Sequence, residues 1–127
     1  MKKRLWWLAL LVLIWLLVSS CGLTDDFSTV RDLGNSFMTA LRDGDHAASY
    51  NMLAPALQQE IGDMNAWVAF AAPRNFSDWS FSSTSVDNGE GQMDGEATFT
   101  DGEYNIALVF GKYGDDWKLT GINFMKK

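Results

Sequence analysis

From Asp25 onward the apolar residues change their spacing once, at Pro73, and that change restricts the fold more than any other feature. Upstream of it Phe27, Val30, Gly34, Phe37 and Leu41 recur at intervals of three and four, the signature of an amphipathic helix. Thr24 stands where an N-cap is wanted, Asp25 and Asp26 suit the positive end of the helix dipole, and Gly44 suits the left-handed residue after the last turn. Asp45 is placed to cap a second helix through Ala47, Ala48, Tyr50, Met52 and Leu53. Pro55 fits the first turn of a third through Leu57 and Ile61, and residues 66–70 suggest a short fourth.

Downstream of Pro73 the period becomes two. Trp79 and Phe81 alternate with serines, and Met93, Gly95, Ala97 and Phe99 alternate with Asp94, Glu96, Thr98 and Thr100. Tyr104, Ile106, Leu108 and Phe110 form one face of a third run. Residues 88–91, Asp101-Gly102 and residues 113–116 supply the turns. In the last run Trp117 and Leu119 share one parity and Ile122 and Phe124 the other, with Gly121 between, which predicts a β-bulge and a bent sheet. Helices followed by a four-stranded antiparallel meander make an α+β domain.

Ahead of this domain lies a segment of different composition. Met1-Lys2-Lys3-Arg4 is followed by fourteen uninterrupted apolar residues, Leu5 to Val18, and then by Ser19-Ser20-Cys21-Gly22, the pattern of a secretory signal peptide. Fourteen helical residues rise about 21 Å, short of the roughly 30 Å hydrocarbon core. Continued through Leu23, the stretch reaches about 28 Å, so an uncleaved N-terminal helix is the alternative anchor. Either anchor places the body outside the cytoplasmic membrane, because the basic end stays inside. From Cys21 onward seven basic and sixteen acidic residues leave a net charge of −9. An acidic body argues against nucleic acid as a partner, since phosphate binding needs clustered Lys and Arg. One cysteine excludes a disulfide scaffold, and the length allows one core.

Val18-Ser19-Ser20-Cys21 resembles the lipobox of bacterial lipoproteins, in which an aliphatic and two small residues precede the cysteine that becomes the lipidated N-terminus. The resemblance implies residues 1–20 as a lipoprotein signal peptide, residues 21–24 as a lipidated terminus and short tether, and Cys21 as the lipid attachment site. FMTALRDGDHAASYNML, Phe37 to Leu53, resembles the helix–Gly-Asp–helix opening of small NTF2-like lipoproteins of the DUF4878 and DUF4864 type, and DDWKLTGINF, Asp115 to Phe124, resembles their closing strand. For residues 25–127 this implies N-terminal helices packed on a bent four-stranded antiparallel sheet, a cone often open to a cavity and often dimeric.

Sites of chemistry are sparse. His46, the only histidine, lies beside Asp43 and Asp45 without a second His or a Cys, so no metal site is expected and His46 is read as a solvated turn residue. NTF2-like enzymes place an acid or base with a Tyr or His inside the cone, which makes Tyr50, Tyr104, Asp94 and Glu96 the candidates. The periodicity instead places both tyrosines on core faces and both acids on a solvated sheet face. No nucleophile triad or phosphate-binding glycine loop is present, and no cofactor is implied. Trp67, Phe70, Trp79, Phe81, Phe99, Phe110 and Trp117 are numerous enough either to fill the core or to line an apolar cavity for a small ligand. Ala107 and Val109 lie opposite the apolar face of their strand, so both faces want cover, which a homodimer, an envelope protein partner or the curl of the sheet itself over a central strand would supply. Lys118, Lys126 and Lys127 are the cations available to face a membrane or partner.

The expectation is therefore an extracytoplasmic lipoprotein, anchored on the outer face of the cytoplasmic membrane or at the outer membrane. It acts as a non-enzymatic binding or interaction module. A carrier or sensor of small apolar ligands is the alternative, with an isomerase or dehydratase as the third reading.

Overall fold

A computed structural model describes residues 26–73 and 75–127. The leader, Cys21 and the Thr24 cap lie outside them. The described chain forms helix α1 over residues 26–43, then α2 (His46–Asn51), α3 (Pro55–Ile61), α4 (Met64–Ala71) and strands β1 (Phe76–Asp87), β2 (Glu90–Phe99), β3 (Gly102–Tyr113) and β4 (Asp116–Lys126). The strands pair antiparallel in sequence order, the expected meander.

The helical half follows from its caps. Gly44 adopts φ 73°, and the end of α1 closes with Gly44 N–H on the Leu41 carbonyl and Asp45 N–H on the Ala40 carbonyl. This double bond pattern is the Schellman motif, which needs a residue free to enter left-handed space. Asp45 then turns its carboxylate to the amide of Ala48 at 3.2 Å and starts α2, and Asp63 does the same for α4 through Ala66 at 2.9 Å. Pro55 opens α3. The link between α2 and α3 pairs with the outer edge of β4: Ala54 donates to the Leu119 carbonyl at 2.7 Å and Leu119 donates to that of Met52 at 2.8 Å. Part of an edge strand is thereby covered.

Helix α1 buries Val30, Gly34, Phe37, Met38 and Leu41 against the sheet, whereas Phe27, expected in the stripe, stands exposed in the first turn. Close approach comes from two reciprocal small–large contacts. A Cβ on Gly91 would lie 3.2 Å from Val30, and one on Gly34 would strike the sulfur of Met93. Glycine on each partner therefore receives the bulkier side chain of the other, bringing helix and sheet into contact without a gap.

The sheet is bent at three places. Opposite Gly121 the register skips Thr120, the expected bulge, since Val109 pairs with Gly121 and Phe110 with Leu119. Strand β1 carries two more, at Ser77 and Ser82. They explain a spacing that strict alternation cannot: Phe76, then Trp79 and Phe81, then Thr84 and Val86 are all turned inward. At Gly95 the fold of β1 over β2 is so close that a Cβ would sit 2.8 Å from the Phe81 Cα and collide with the Ser80 carbonyl oxygen. The first hairpin turns through Asn88 and Gly89 at φ 50° and 75°, the pair of left-handed residues a two-residue hairpin favours.

Candidate functional site: two faces of one bent sheet

The inner face is filled by aromatic rings in contact. From Trp79 the rings pass to Phe76 (centroids 5.7 Å), Phe99 (5.3 Å), Phe124 (5.8 Å), Phe70 (6.5 Å), Trp67 (5.4 Å) and Phe37 (6.1 Å), with Tyr104 4.4 Å from Phe99. These separations are those of edge-on and offset aromatic pairs, each contributing about 0.5–1.5 kcal/mol beyond burial. Of the seven residues expected to fill the core or line a cavity, Trp67, Phe99, Phe110 and Trp117 are buried in this packing and Phe70, Trp79 and Phe81 are half-buried. Among the described residues each tryptophan finds a partner for its indole N–H. Trp67 donates to Ser49 Oγ at 2.9 Å and Ser49 in turn donates to the His46 carbonyl at 3.1 Å. Trp79 donates to Asn35 Oδ1 at 3.1 Å, under the Arg42 guanidinium 5.1 Å from its ring. Trp117 donates to Asp26 Oδ1 at 3.2 Å.

The groups considered for acid–base chemistry do not converge. Tyr104 lies on the inner face, where its hydroxyl donates to Asp101 at 2.8 Å, while Asp94 and Glu96 project from the outer face. Asp94 accepts from Gln92 at 3.1 Å, and Glu96 pairs with Lys127 at 2.7 Å. Tyr50 is half-buried in α2. His46 departs from expectation: it is half-buried, with Nδ1 turned inward and without a hydrogen-bond partner. Among the described residues no three potential metal ligands come together, and no helix is long and apolar enough to cross a membrane.

The outer face is open and mixed. Along β3 and β4 it presents Asn105 beside Met125, Ala107 beside Asn123 and Val109 beside Gly121, with Gln92, Asp94 and Glu96 of β2 flanking. Val109 is 39% exposed and Met125 57%. A recess of about 320 Å³ is set into this face, bordered by Ser82, Asp94, Asn105, Ala107, Asn123 and Met125. A broader groove of about 680 Å³ runs between α1 and α2, lined by Asp32, Asn35, Thr39, Asp43, Asp45 and Met52.

Ion pairs that join distant parts of the chain gather at the two ends of the sheet. Where α1 begins, Asp26 accepts from Trp117 and from Lys112 at 3.2 Å. The Trp117 indole, then the Lys112 ammonium, hold its carboxyl below the usual carboxylate range against a partial loss of solvation. At the opposite end Asp101 is lowered, first by the Tyr104 hydroxyl and then by Lys126 at 3.6 Å. Lys127 is raised by Glu96, more weakly by Glu103 at 3.5 Å. Lys118 donates to the Asn51 carbonyl at 2.9 Å. The three cations expected to face a membrane or partner are thus engaged within the body.

This architecture is the NTF2-like α+β fold. The chain superimposes with a TM-score of 0.63 on an NTF-2 like protein of unknown function from Silicibacter pomeroyi, at 12% identity, over 82% of this chain and 98% of that one. A DUF4783 family protein from Bacteroides ovatus gives 0.57 at 12% identity over 70% and 90%. An NTF2-like protein of Campylobacter jejuni gives 0.55 at 14% over 72% and 96%. At these identities the likeness is one of fold. No protein-family model matches the sequence, and no curated relative does.

Proposed function

We propose that the chain is an extracytoplasmic lipoprotein, anchored through Cys21, whose NTF2-like body binds another envelope protein or a second copy of itself through the outer face of its sheet. The observation that carries this reading is the pair of exposed side chains Val109 and Met125, with half-buried Ala107 between them, on a face that holds a shallow recess. Small residues there leave the backbone approachable, as at Gly121, where an added Cβ would lie 3.4 Å from that of Val109. An apolar centre with a polar rim is the usual layout of a transient protein interface. The basic-apolar-small leader ending at the only cysteine supports the anchor.

Two experiments test the two halves. Growth with labelled palmitate should label the parent and leave Cys21→Ala unlabelled; equal labelling refutes the attachment site. A photo-crosslinking amino acid at Val109 should give a discrete adduct in intact cells, while the same group at exposed Glu60 of α3 should not. Identical adducts at both positions would refute the outer-face reading.

A further inference from the structure

Resting on that anchor reading, we infer that the body stands on the membrane on one end of its sheet, with Phe27 and Tyr113 in the headgroup layer of an uncharged lipid surface and the strands running away from it. The end is fixed by where the chain enters the fold. Asp26 is fastened by the Trp117 indole and the Lys112 ammonium, and both of these flank the Gly114 turn between β3 and β4. Lys112 N–H also donates to the Gly89 carbonyl at 2.9 Å, so the β1–β2 turn belongs to the same end. Five residue steps from Cys21 to Asp26 span at most about 17 Å. The twelve residues of β3 carry the opposite end about 36 Å further off. The tether therefore reaches this end alone.

The side chains here suit an interface. Phe27 is 39% exposed and Tyr113 45%, the one in the first turn of α1 and the other beside the Gly114 turn. Aromatic residues with an apolar body, and for tyrosine a polar tip, favour the water–lipid boundary. The charges select the lipid. Asp87, Glu90, Asp115 and Asp116 surround the two turns; Lys112 is paired with Asp26, which leaves Lys118 and, one helical turn beyond Phe27, Arg31 against four carboxylates, so an anionic leaflet repels this end. Lys126 and Lys127 lie at the other end, paired with acids. The standing orientation leaves the outer sheet face upright, so a partner reaches it along the plane of the membrane.

The test uses the full-length acylated protein in phosphatidylcholine vesicles containing headgroup spin-labelled lipid. Acylation occupies Cys21, so a single new cysteine can carry a fluorophore: Asp115→Cys at the turn end, Thr100→Cys at the opposite end, or Asn105→Cys on the outer sheet face. Quenching is expected to be several-fold stronger at position 115 than at 100 or 105. It should fall when Phe27→Ser and Tyr113→Ser are combined, and weaken when phosphatidylglycerol replaces part of the phosphatidylcholine. Equal quenching at 115 and 100, or stronger quenching at 105, overturns the orientation. Intact mass before reconstitution reports the anchor separately. Should Cys21 prove unmodified, its thiol, then the only one, is coupled to a maleimide lipid and the fluorophore is carried instead by an azide-bearing unnatural residue at the same three positions, which decide the orientation.

Discussion

Ser49 is the one buried polar residue among those described, and replacing it isolates the worth of a single hydrogen bond in the packing of α2 on α4. Its hydroxyl accepts the Trp67 indole N–H at 2.9 Å and donates to the His46 carbonyl at 3.1 Å, and Trp67 has no exposure to water. Ser49→Ala removes one small oxygen and leaves the indole N–H sealed without an acceptor. A made hydrogen bond is worth about 1 kcal/mol net, but a buried donor left unsatisfied costs about 1–3 kcal/mol. The larger figure governs because no water reaches the site. For a domain of this size a loss of that order lowers the melting temperature by roughly 4–20 °C. Urea unfolding of the full chain in mild detergent, followed by far-ultraviolet circular dichroism, measures it. Trp67→Phe keeps an apolar ring but deletes the donor, so its cost should be smaller by about 1 kcal/mol or more when introduced on top of Ser49→Ala than in the parent. If Ser49→Ala stays within about 0.5 kcal/mol of the parent, a size typical of neutral surface changes, and the two substitutions are additive, the indole hydrogen bond contributes nothing and the reasoning fails.

The same titration separates two glycines that pack closely for different reasons. Gly95→Ala sets a Cβ against the backbone of Ser80 and Phe81, which cannot move alone, and should cost at least the 1–3 kcal/mol of ordinary overpacking. Gly34→Ala meets the flexible end of Met93 and gains about 1 kcal/mol of helix propensity, so it should be nearly neutral; a larger loss at Gly34 would reverse this ordering. Asp26 and Asp101 have folded pKa values below those of the unfolded chain. Their stabilisation is complete above the ordinary carboxylate range and disappears as pH falls through the depressed folded values. Asp26→Asn should accordingly flatten the acid limb of stability against pH, and an unchanged limb would show that the clamp is absent in solution. Lys127 has the opposite sign: its contribution is present below the ordinary lysine value and is lost as pH rises through the raised folded one.

How much of this was legible beforehand depends on which interactions are local. The caps at Asp45 and Gly44, Pro55 at the start of α3, the three hairpins and the bulge beside Gly121 all reside in a few neighbouring residues, and each formed as read. The bulges at Ser77 and Ser82 were also written locally, in the uneven intervals Phe76–Trp79 and Phe81–Val86, but a serine-rich strand masks its own parity. Long-range pairings left no such mark. Nothing in the sequence near Asp26 indicates Lys112 or Trp117, more than eighty residues away, and nothing near Phe27 indicates that its ring stands exposed in the first turn of α1. The candidate site divides the same way. The mixed character of β3 was visible in Ala107 and Val109, whereas the recess there arises only when all four strands are in register.

The ring contacts on the inner face bear on the reading of the body as a ligand carrier. Between Trp79 and Phe37 successive centroids are 5.3–6.5 Å apart, and a guest aromatic ring placed between two of them would need each gap to widen by several ångströms. Opening the row would sacrifice about 0.5–1.5 kcal/mol at every pair broken, besides the apolar burial of Phe99 and Trp67, before any ligand contact was gained. A small apolar ligand can recover that only by filling the space as well as the rings do. The protein extracted from membranes should therefore show, by native mass spectrometry, no retained small molecule beyond its acyl chains. Phe99→Ala tests the same point from the other side. It should cost about 3–5 kcal/mol and leave a space the size of a ring. Benzene or a similar small aromatic should then raise the melting temperature of Phe99→Ala while leaving the parent unchanged. A ligand that co-purifies with the parent, or a parent stabilised by benzene as much as the variant is, would show that the rings part in solution and would restore the cone interior as a binding site.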